Sequence, residues 1–138
     1  METQFTHESI ALCFLRVFTG MLFLFQGYDK IFRMRMDNLI ETIKPAYLNI
    51  GIPISMIRLF AYFTSYIELV GGFLLILGLL KFTALYALGF DLLIASIGMA
   101  ILNPMWDMKH VFPRLILVIF LIIYPTAADL LALDHIIF

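Results

Sequence analysis

The sequence predicts an all-α integral membrane protein, an antiparallel four-helix bundle with a short interfacial helix between the first two spans. Apolar residues make up 63% of its 138 residues, charged residues only 14%, and the mean hydropathy is +1.02. That leaves too little polar surface to cover a water-soluble globule. The apolar residues fall into four long runs joined by one long and two short connections. This spacing is typical of an up-and-down bundle that forms one domain over residues 1–138.

The first span is predicted at residues 10–32, which rise about 34 Å as a helix. At 100° per residue, five of its residues fall on one narrow stripe, namely Arg16, Gly20, Phe23, Gly27 and Lys30. Glycines on a stripe let a second helix approach closely. Lys30 can extend to the membrane edge, whereas Arg16 lies about 9 Å inside the other end and requires a partner.

The longest break, residues 33–56, is predicted to contain an amphipathic helix lying in the membrane interface. Asp37 is its expected N-cap and Pro45 its expected stop. Leu39, Ile40 and Ile43 mark its apolar side, and Glu41 and Lys44 its polar side.

The second span, predicted at residues 57–80, has one charged residue deep inside it, Glu68. An isolated charge at that depth costs about 2.5–3.5 kcal/mol on insertion scales, so Glu68 must find a partner or stay protonated. Small and hydroxyl residues share its face of the helix: Ala61, Thr64, Ser65, Gly72, together with Leu75. The carboxylate is therefore expected to face other helices.

The third and fourth spans also carry acidic residues. A short turn at residues 81–83 leads into the third span, residues 84–102, with Asp91 near half depth. Trp106 follows in the next connection as an interfacial aromatic residue. The fourth span is predicted at residues 111–133, interrupted at Tyr124-Pro125, with Asp129 near its end.

In such a bundle Arg16, Glu68, Asp91 and Asp129 can reach one cavity in the same half of the membrane. One arginine cannot neutralise three carboxylates, so at least one of them is expected to be protonated and able to exchange a proton with a polar ligand. The alternative is structural: Arg16 and Glu68 form an ion pair, and Asp91 makes a lone polar bond between helices. Asp129 and Asp134, which lie near the boundary, are also open to a solvated or helix-terminal role.

Several classes of protein are excluded. The net charge of -1 and the lack of a basic stripe give no reason to expect nucleic acid. The single cysteine, Cys13, rules out an internal disulfide or CxxC pair, and His110 and His135 lack the spacing of a metal site.

Orientation follows from the distribution of lysine and arginine. Seven of them lie on the side of the first and third connections, against Lys81 alone on the side of the termini: Lys30, Arg33, Arg35, Lys44, Arg58, Lys109 and Arg114. Both termini are therefore predicted to lie outside the cytoplasm.

Taken in order, six short segments resemble the DoxX family of small four-span membrane proteins: Leu15-Arg16, Gly27-Tyr-Asp-Lys30, Gly51-Ile-Pro53, Glu68-Leu-Val-Gly-Gly72, Leu77-Gly78 and Leu133-Asp134. The resemblance singles out Arg16, Gly27, Lys30, Glu68, Gly72 and Asp134. It implies an inner-membrane subunit similar to the small subunit of thiosulfate:quinone oxidoreductase. The chain departs from the family at Gln26, where many members have histidine, and at Tyr124-Pro125-Thr126, and Asp91 lies outside the general pattern.

The leading hypothesis is therefore a DoxX-like subunit of a quinone-linked redox system in the bacterial inner membrane. Glu68 and Asp91 are the candidate catalytic residues, as proton donor or acceptor. The candidate ligand-binding residues are Arg16, Gln26, Lys30, Tyr66, Trp106, Asp129 and Asp134. Ubiquinone or menaquinone is the candidate cofactor, and no metal is expected. No haem ligand pair, flavin site or dithiol is visible in the sequence, so electron transfer requires a protein partner.

Two alternatives from other classes remain open. One is a membrane assembly or scaffold subunit, acting with a partner or as a homo-oligomer, whose polar cluster only fixes the bundle geometry. The other is a small proton-coupled carrier, although no inverted repeat relates the two halves of the sequence.

Overall fold

A computed structural model describes residues 7–102, 108–124 and 129–137 of the protein. Within these ranges the fold is all-helical and contains no strand, as the sequence predicts. The elements are α1 (His7–Tyr28), a π-helical turn (Asp29–Arg33), α2 (Met36–Leu48), α3 (Ile54–Leu77), α4 (Lys81–Leu102), α5 (Met108–Ile123) and α6 (Leu133–Ile137). Within the described part, three segments are long and apolar enough to cross a membrane: His7–Arg33, Ile54–Leu77 and Lys81–Ile101. α5 is also apolar, but shorter.

The most extensive contact in the fold joins α1 and α3, and glycines make it possible. A Cβ at Gly27 would lie 2.6 Å from the Leu69 nitrogen, and a Cβ at Gly72 would lie 2.5 Å from the Leu24 nitrogen. A Cβ at Gly20 would lie 2.8 Å from the Gly72 oxygen. The two backbones therefore touch along the stripe that the sequence predicts, with the helices running in opposite directions.

The remaining long helices surround an apolar core. α3 packs against α4, α4 against α5, and α5 against α1. Eight buried side chains fill the space between them: Phe23, Leu75, Leu85, Leu88, Leu92, Val111, Val118 and Leu121. Large apolar side chains on the outer faces of these helices are exposed, for example Phe18, Phe73 and Ile97. A surface of this kind suits contact with lipid.

The helix between the first two spans is longer than the sequence predicts. Its apolar side is confirmed, because Met36 and Ile40 are buried against α3. The predicted ends are wrong: α2 begins at Met36 without a side-chain cap, and it continues through Pro45 to Leu48. A proline removes one helical N–H bond, and here the last turn is held by packing and by the Tyr47 hydroxyl, which donates to the Gly98 oxygen at 2.9 Å.

Two span boundaries also differ from prediction. α4 begins at Lys81 rather than 84, because the Asp134 carboxylate accepts the backbone N–H groups of Leu80 and Lys81 at 2.8 and 2.7 Å. The fourth span does not run to residue 133 as one helix. α5 ends at Ile123, next to the predicted break, and the chain at residues 129–132 is not helical.

We expect Tyr47→Phe to lower the free energy of unfolding by about 0.5–1.5 kcal/mol, the net worth of one hydrogen bond. Burial raises the pKa of the Tyr47 phenol, so its hydroxyl stays protonated and can donate to the Gly98 oxygen. The measurement is unfolding of the purified protein in mixed detergent micelles, with Tyr86→Phe on the exposed face of α4 as the control. Equal stability of the two variants would show that the bond between α2 and α4 contributes nothing.

Candidate functional site

The buried charges form two separate groups at different heights in the fold. We call the first the Arg16 cluster, made of Arg16, Lys81 and Asp129. We call the second the Glu68 cluster, made of Gln26, Lys30, Glu68, Asp91 and Arg114. Along α3, the contacts of the two clusters are about seven residues apart, roughly 10 Å of helix.

In the Arg16 cluster two buried cations share one buried carboxylate. Asp129 Oδ2 lies 3.1 Å from Arg16 Nε and 3.1 Å from Lys81 Nζ. The side chains of Lys81 and Asp129 are fully buried, and that of Arg16 is only 2% exposed. Arg16 also donates to the carbonyl oxygens of Leu75, Ile76 and Leu131 at 2.9, 2.6 and 3.2 Å.

These contacts give the Arg16 cluster a structural role. The Arg16 guanidinium joins α1 to the end of α3 and to the segment before α6. Asp134 adds two bonds to the start of α4, and its own N–H donates to the Gly78 oxygen at 3.0 Å. Of the predicted ligand-binding residues, Arg16 and Asp129 thus bind each other, and Asp134 binds the backbone at Leu80 and Lys81.

One sequence-based prediction is wrong here. Arg16 was expected to meet Glu68 and Asp91 in one pocket, but its bonds go to Asp129 and to carbonyl groups two helical turns away from Glu68. The solvated role that the sequence left open for Asp129 near the boundary is also excluded, because Asp129 is fully buried. Asp129 supplies the counter-charge that the two buried cations require.

In the Glu68 cluster, two residues of the first span bind the carboxylate. Lys30 Nζ lies 2.7 Å from Oε2 and 2.8 Å from Oε1 of Glu68, and Gln26 Nε2 donates to Oε1 at 2.9 Å. The Glu68 side chain is 1% exposed and that of Lys30 23%. Lys30 belongs to the π-helical turn that follows α1, and such turns often occur at functional sites. Gln26 and Lys30, two of the predicted ligand-binding residues, thus share Glu68 as a partner, and the sequence does not identify that partner.

Arg114 also belongs to this cluster, although it is not among the site residues predicted from the sequence. Its Nη1 donates to Gln26 Oε1, so the Gln26 amide connects the guanidinium of α5 to the carboxylate of α3. Arg114 lies three residues inside the predicted fourth span, where it was counted only for orientation. Its depth, together with an unbalanced pair of acids in the second and third spans, is the signal that could have revealed it.

Asp91 is the unusual member of the cluster. It is fully buried, and neither of its carboxylate oxygens has a hydrogen-bond partner among the described residues. A Cβ at Gly71 on α3 would lie 3.0 Å from the Leu88 side chain on α4, so these two residues face each other. Glu68 lies three residues before Gly71, and Asp91 lies three residues after Leu88. Because α3 and α4 are antiparallel, the two acids lie at the same level. Asp91 is close enough to Glu68 and Lys30 to interact with them electrostatically.

Of the two predicted aromatic ligand residues, Tyr66 does not join the cluster. Tyr66 is half-exposed and stacks on Tyr62, with 6.4 Å between ring centroids. Both line an apolar groove between α3 and α4 with a volume of about 520 Å³. Trp106 lies outside the described residues. Among the described residues, no three His, Cys, Asp or Glu side chains form a group able to hold a metal ion.

The arrangement combines two carboxyl groups in different states. That of Glu68 is paired with a cation, and that of Asp91 has no hydrogen-bond partner among the described residues. Glu68 is held by a cation and an amide, so its position is fixed. Asp91 can accept a hydrogen bond when ionised and donate one when protonated. A carboxyl group of this kind has the chemistry to form a hydrogen bond with a polar ligand and to exchange a proton with it.

The long apolar helices and buried charge clusters define an all-helical, multi-pass membrane protein. Within that class, residues 11–101 of the chain match the DoxX family, and this match covers about two thirds of the sequence. The chain belongs to the DoxX family, which confirms the resemblance in its sequence. Comparisons with curated proteins and with solved structures gave no match.

Proposed function

We propose that this DoxX protein is an inner-membrane subunit of a quinone-linked redox system in bacteria, binding the head group of a quinone or a similar amphiphile at the Glu68 cluster. In this proposal α1, α3, α4 and α5 are the four spans of an antiparallel bundle. The electrons are exchanged with a partner protein, because the sequence shows no redox centre of its own.

The observation that carries the proposal is the buried carboxyl group of Asp91, which has no hydrogen-bond partner among the residues that the structure describes. Burying a polar group without a hydrogen bond costs about 1–3 kcal/mol in proteins. Asp129 and Asp134 differ from Asp91 in this respect, because Asp129 forms ion pairs with two buried cations and Asp134 accepts two backbone N–H bonds. A group that costs stability and makes no internal bond is a candidate for binding something from outside the chain.

The other members of the cluster supply the charge that a polar head group requires. Lys30 and Arg114 flank Glu68, so a carbonyl oxygen or a developing anion would meet cations there. In this proposal Lys30 and Arg114, and not Arg16, hold the carbonyl oxygen or developing anion of the ligand. When bound, a quinone supplies two-electron chemistry coupled to protons, and Asp91 is the group placed to give or take a proton.

The distribution of charge supports termini on the non-cytoplasmic side. Lys81, the one cation counted on the side of the termini, is fully buried in its ion pair. On the opposite side Arg33, Arg35, Arg58 and Lys109 are all exposed. Exposed cations of short connections face the cytoplasm in most membrane proteins.

We expect Asp91→Leu to make the protein more stable and to weaken quinone binding. The leucine keeps the branched shape and removes an unpaired buried carboxyl, so the free energy of unfolding should rise by about 1–2 kcal/mol. The amount of ubiquinone or menaquinone that remains with the gently purified protein should fall at least about tenfold, the equivalent of 1.4 kcal/mol of binding. The first quantity is measured by unfolding in mixed micelles and the second by solvent extraction and chromatography.

The matched control is Asp29→Leu, which changes an exposed aspartate in the π-helical turn. It should leave both quantities unchanged. The proposal is wrong if wild-type protein carries no quinone, or if Asp91→Leu retains as much quinone as the wild type. Destabilisation by Asp91→Leu would show instead that the carboxyl group has a structural role.

A further inference from the structure

The groove between α3 and α4 lies on the surface that faces lipid, close to the Glu68 cluster. One wall is formed by α3, with Tyr62 and Tyr66 among its residues. On the α4 side it is lined by small residues, including Ala84 and Ala87. These short side chains, and the missing side chain of Gly71 on α3, leave room between the two helices at the surface.

Both acids of the cluster lie within one helical turn of this groove. Asp91 follows Ala87 by four residues and therefore lies on the same face of α4. Glu68 precedes Gly71 by three residues, and it is next to Ile67, which also lines the groove. Residues that line the groove are thus one helical turn away from Asp91, whose carboxyl group has no hydrogen-bond partner among the described residues.

We propose that the groove between α3 and α4 holds the apolar chain of the bound amphiphile, so that the ligand enters sideways from the bilayer and places its head group at Asp91. This inference rests on the proposed function, and it adds the class of ligand: a lipid-dissolved molecule with a slender hydrocarbon tail, such as an isoprenoid quinone. A water-soluble solute that enters from the aqueous phase would not need the groove.

The chemistry of the groove agrees with this occupant. None of its lining residues is charged, and its polar groups are limited to two tyrosine hydroxyls and Thr83. An uncharged chain therefore loses no solvation there and gains contact with aromatic rings. The volume of about 520 Å³ lies within the range of small-molecule sites, and the lining runs from Leu59 to Leu74, roughly 22 Å along α3.

The experiment fills the groove with Ala87→Phe and compares two probes that share one head group. Long-chain ubiquinone and the same ring without an isoprenoid chain are titrated into the protein in lipid nanodiscs. We expect Ala87→Phe to weaken binding of the long-chain probe at least about tenfold and to change binding of the chainless ring by less than about twofold. The matched control, Ala100→Phe on the exposed face of the same helix, should leave both affinities unchanged.

Three other outcomes overturn the inference. An unchanged affinity of Ala87→Phe for the long-chain probe shows that the tail lies elsewhere, and equal weakening of both probes shows that the substitution disturbs the head-group site. A change from dimer to monomer in light scattering shows that the groove binds a second copy of the chain. If the wild-type protein binds neither probe, the proposed function itself has failed, and that result is distinct from the other three.

Discussion

Asp129→Asn is expected to lower the free energy of unfolding by about 3–5 kcal/mol, the cost typical of removing one partner from a buried ion pair. The carboxylate lies 3.1 Å from both Arg16 and Lys81, and all three side chains are buried. Without it two cations face each other in an apolar interior. The first span, the turn between α3 and α4, and the segment before α6 are all joined at this point.

The measurement is unfolding in mixed detergent micelles, followed by helical circular dichroism. Asp29→Asn is the matched control, because Asp29 pairs with Arg33 at 3.4 Å on the exposed surface and such pairs contribute about 0–1 kcal/mol. Lys81→Met in the Asp129→Asn background removes one of the two unpaired cations, so we expect it to recover about 0.5–3 kcal/mol of the loss. A loss for Asp129→Asn no larger than that of the control would contradict the structural role of the cluster.

The sequence predicts the helices and their inner faces well, because both follow from local periodicity. The stripe of Arg16, Gly20, Phe23, Gly27 and Lys30 is the stripe that packs on α3, and all except Lys30 are buried. The apolar side of α2 is also correct, although its ends are not. Face and period depend only on the 3.6-residue repeat, so no tertiary information is required.

The pairing of the charges could not be predicted in the same way. Arg16 and Lys30 lie on one stripe, and either could meet Glu68 if α1 moved along α3 by a few turns. The register is set by the contacts of Gly20, Gly27 and Gly72, which are long-range. In that register Lys30 reaches Glu68, while Arg16 is level with the end of α3 and requires Asp129.

Two residues of the clusters were missed because each lies near a predicted boundary. Lys81 was assigned to a turn and Arg114 to the start of a span, and in both places a cation usually extends to the aqueous phase. In the structure Lys81 begins α4 and is fully buried, since Asp134 extends the helix by capping it. A boundary that moves by three residues therefore changes a solvated lysine into part of the interior.

The second large effect is expected at the contact between α1 and α3. A Cβ at Gly72 would lie 2.5 Å from the Leu24 nitrogen and 2.7 Å from the Gly20 oxygen. Both are backbone atoms, which cannot rotate away as a side chain can, so the helices must separate. Gly72→Ala is therefore expected to lower the free energy of unfolding by about 2–3 kcal/mol, at the upper end of overpacking costs.

Gly89→Ala makes the same chemical change where there is room for it. A Cβ there would lie 3.6 Å from the Val118 side chain, an ordinary contact. Alanine is favoured over glycine in a helix by up to about 1 kcal/mol, so this variant should be equally stable or more stable. If both variants change stability alike, close backbone packing is not what sets the register of α1.

The same pair of variants connects the packing to the proposed site. Gln26 and Lys30 on α1 reach Glu68 on α3 across this interface, at 2.9 and 2.7 Å. Helices forced apart by a methyl group at residue 72 cannot keep both distances. Gly72→Ala should therefore also reduce the quinone that remains with the purified protein, whereas Gly89→Ala should not, because the α4–α5 contact does not position Lys30.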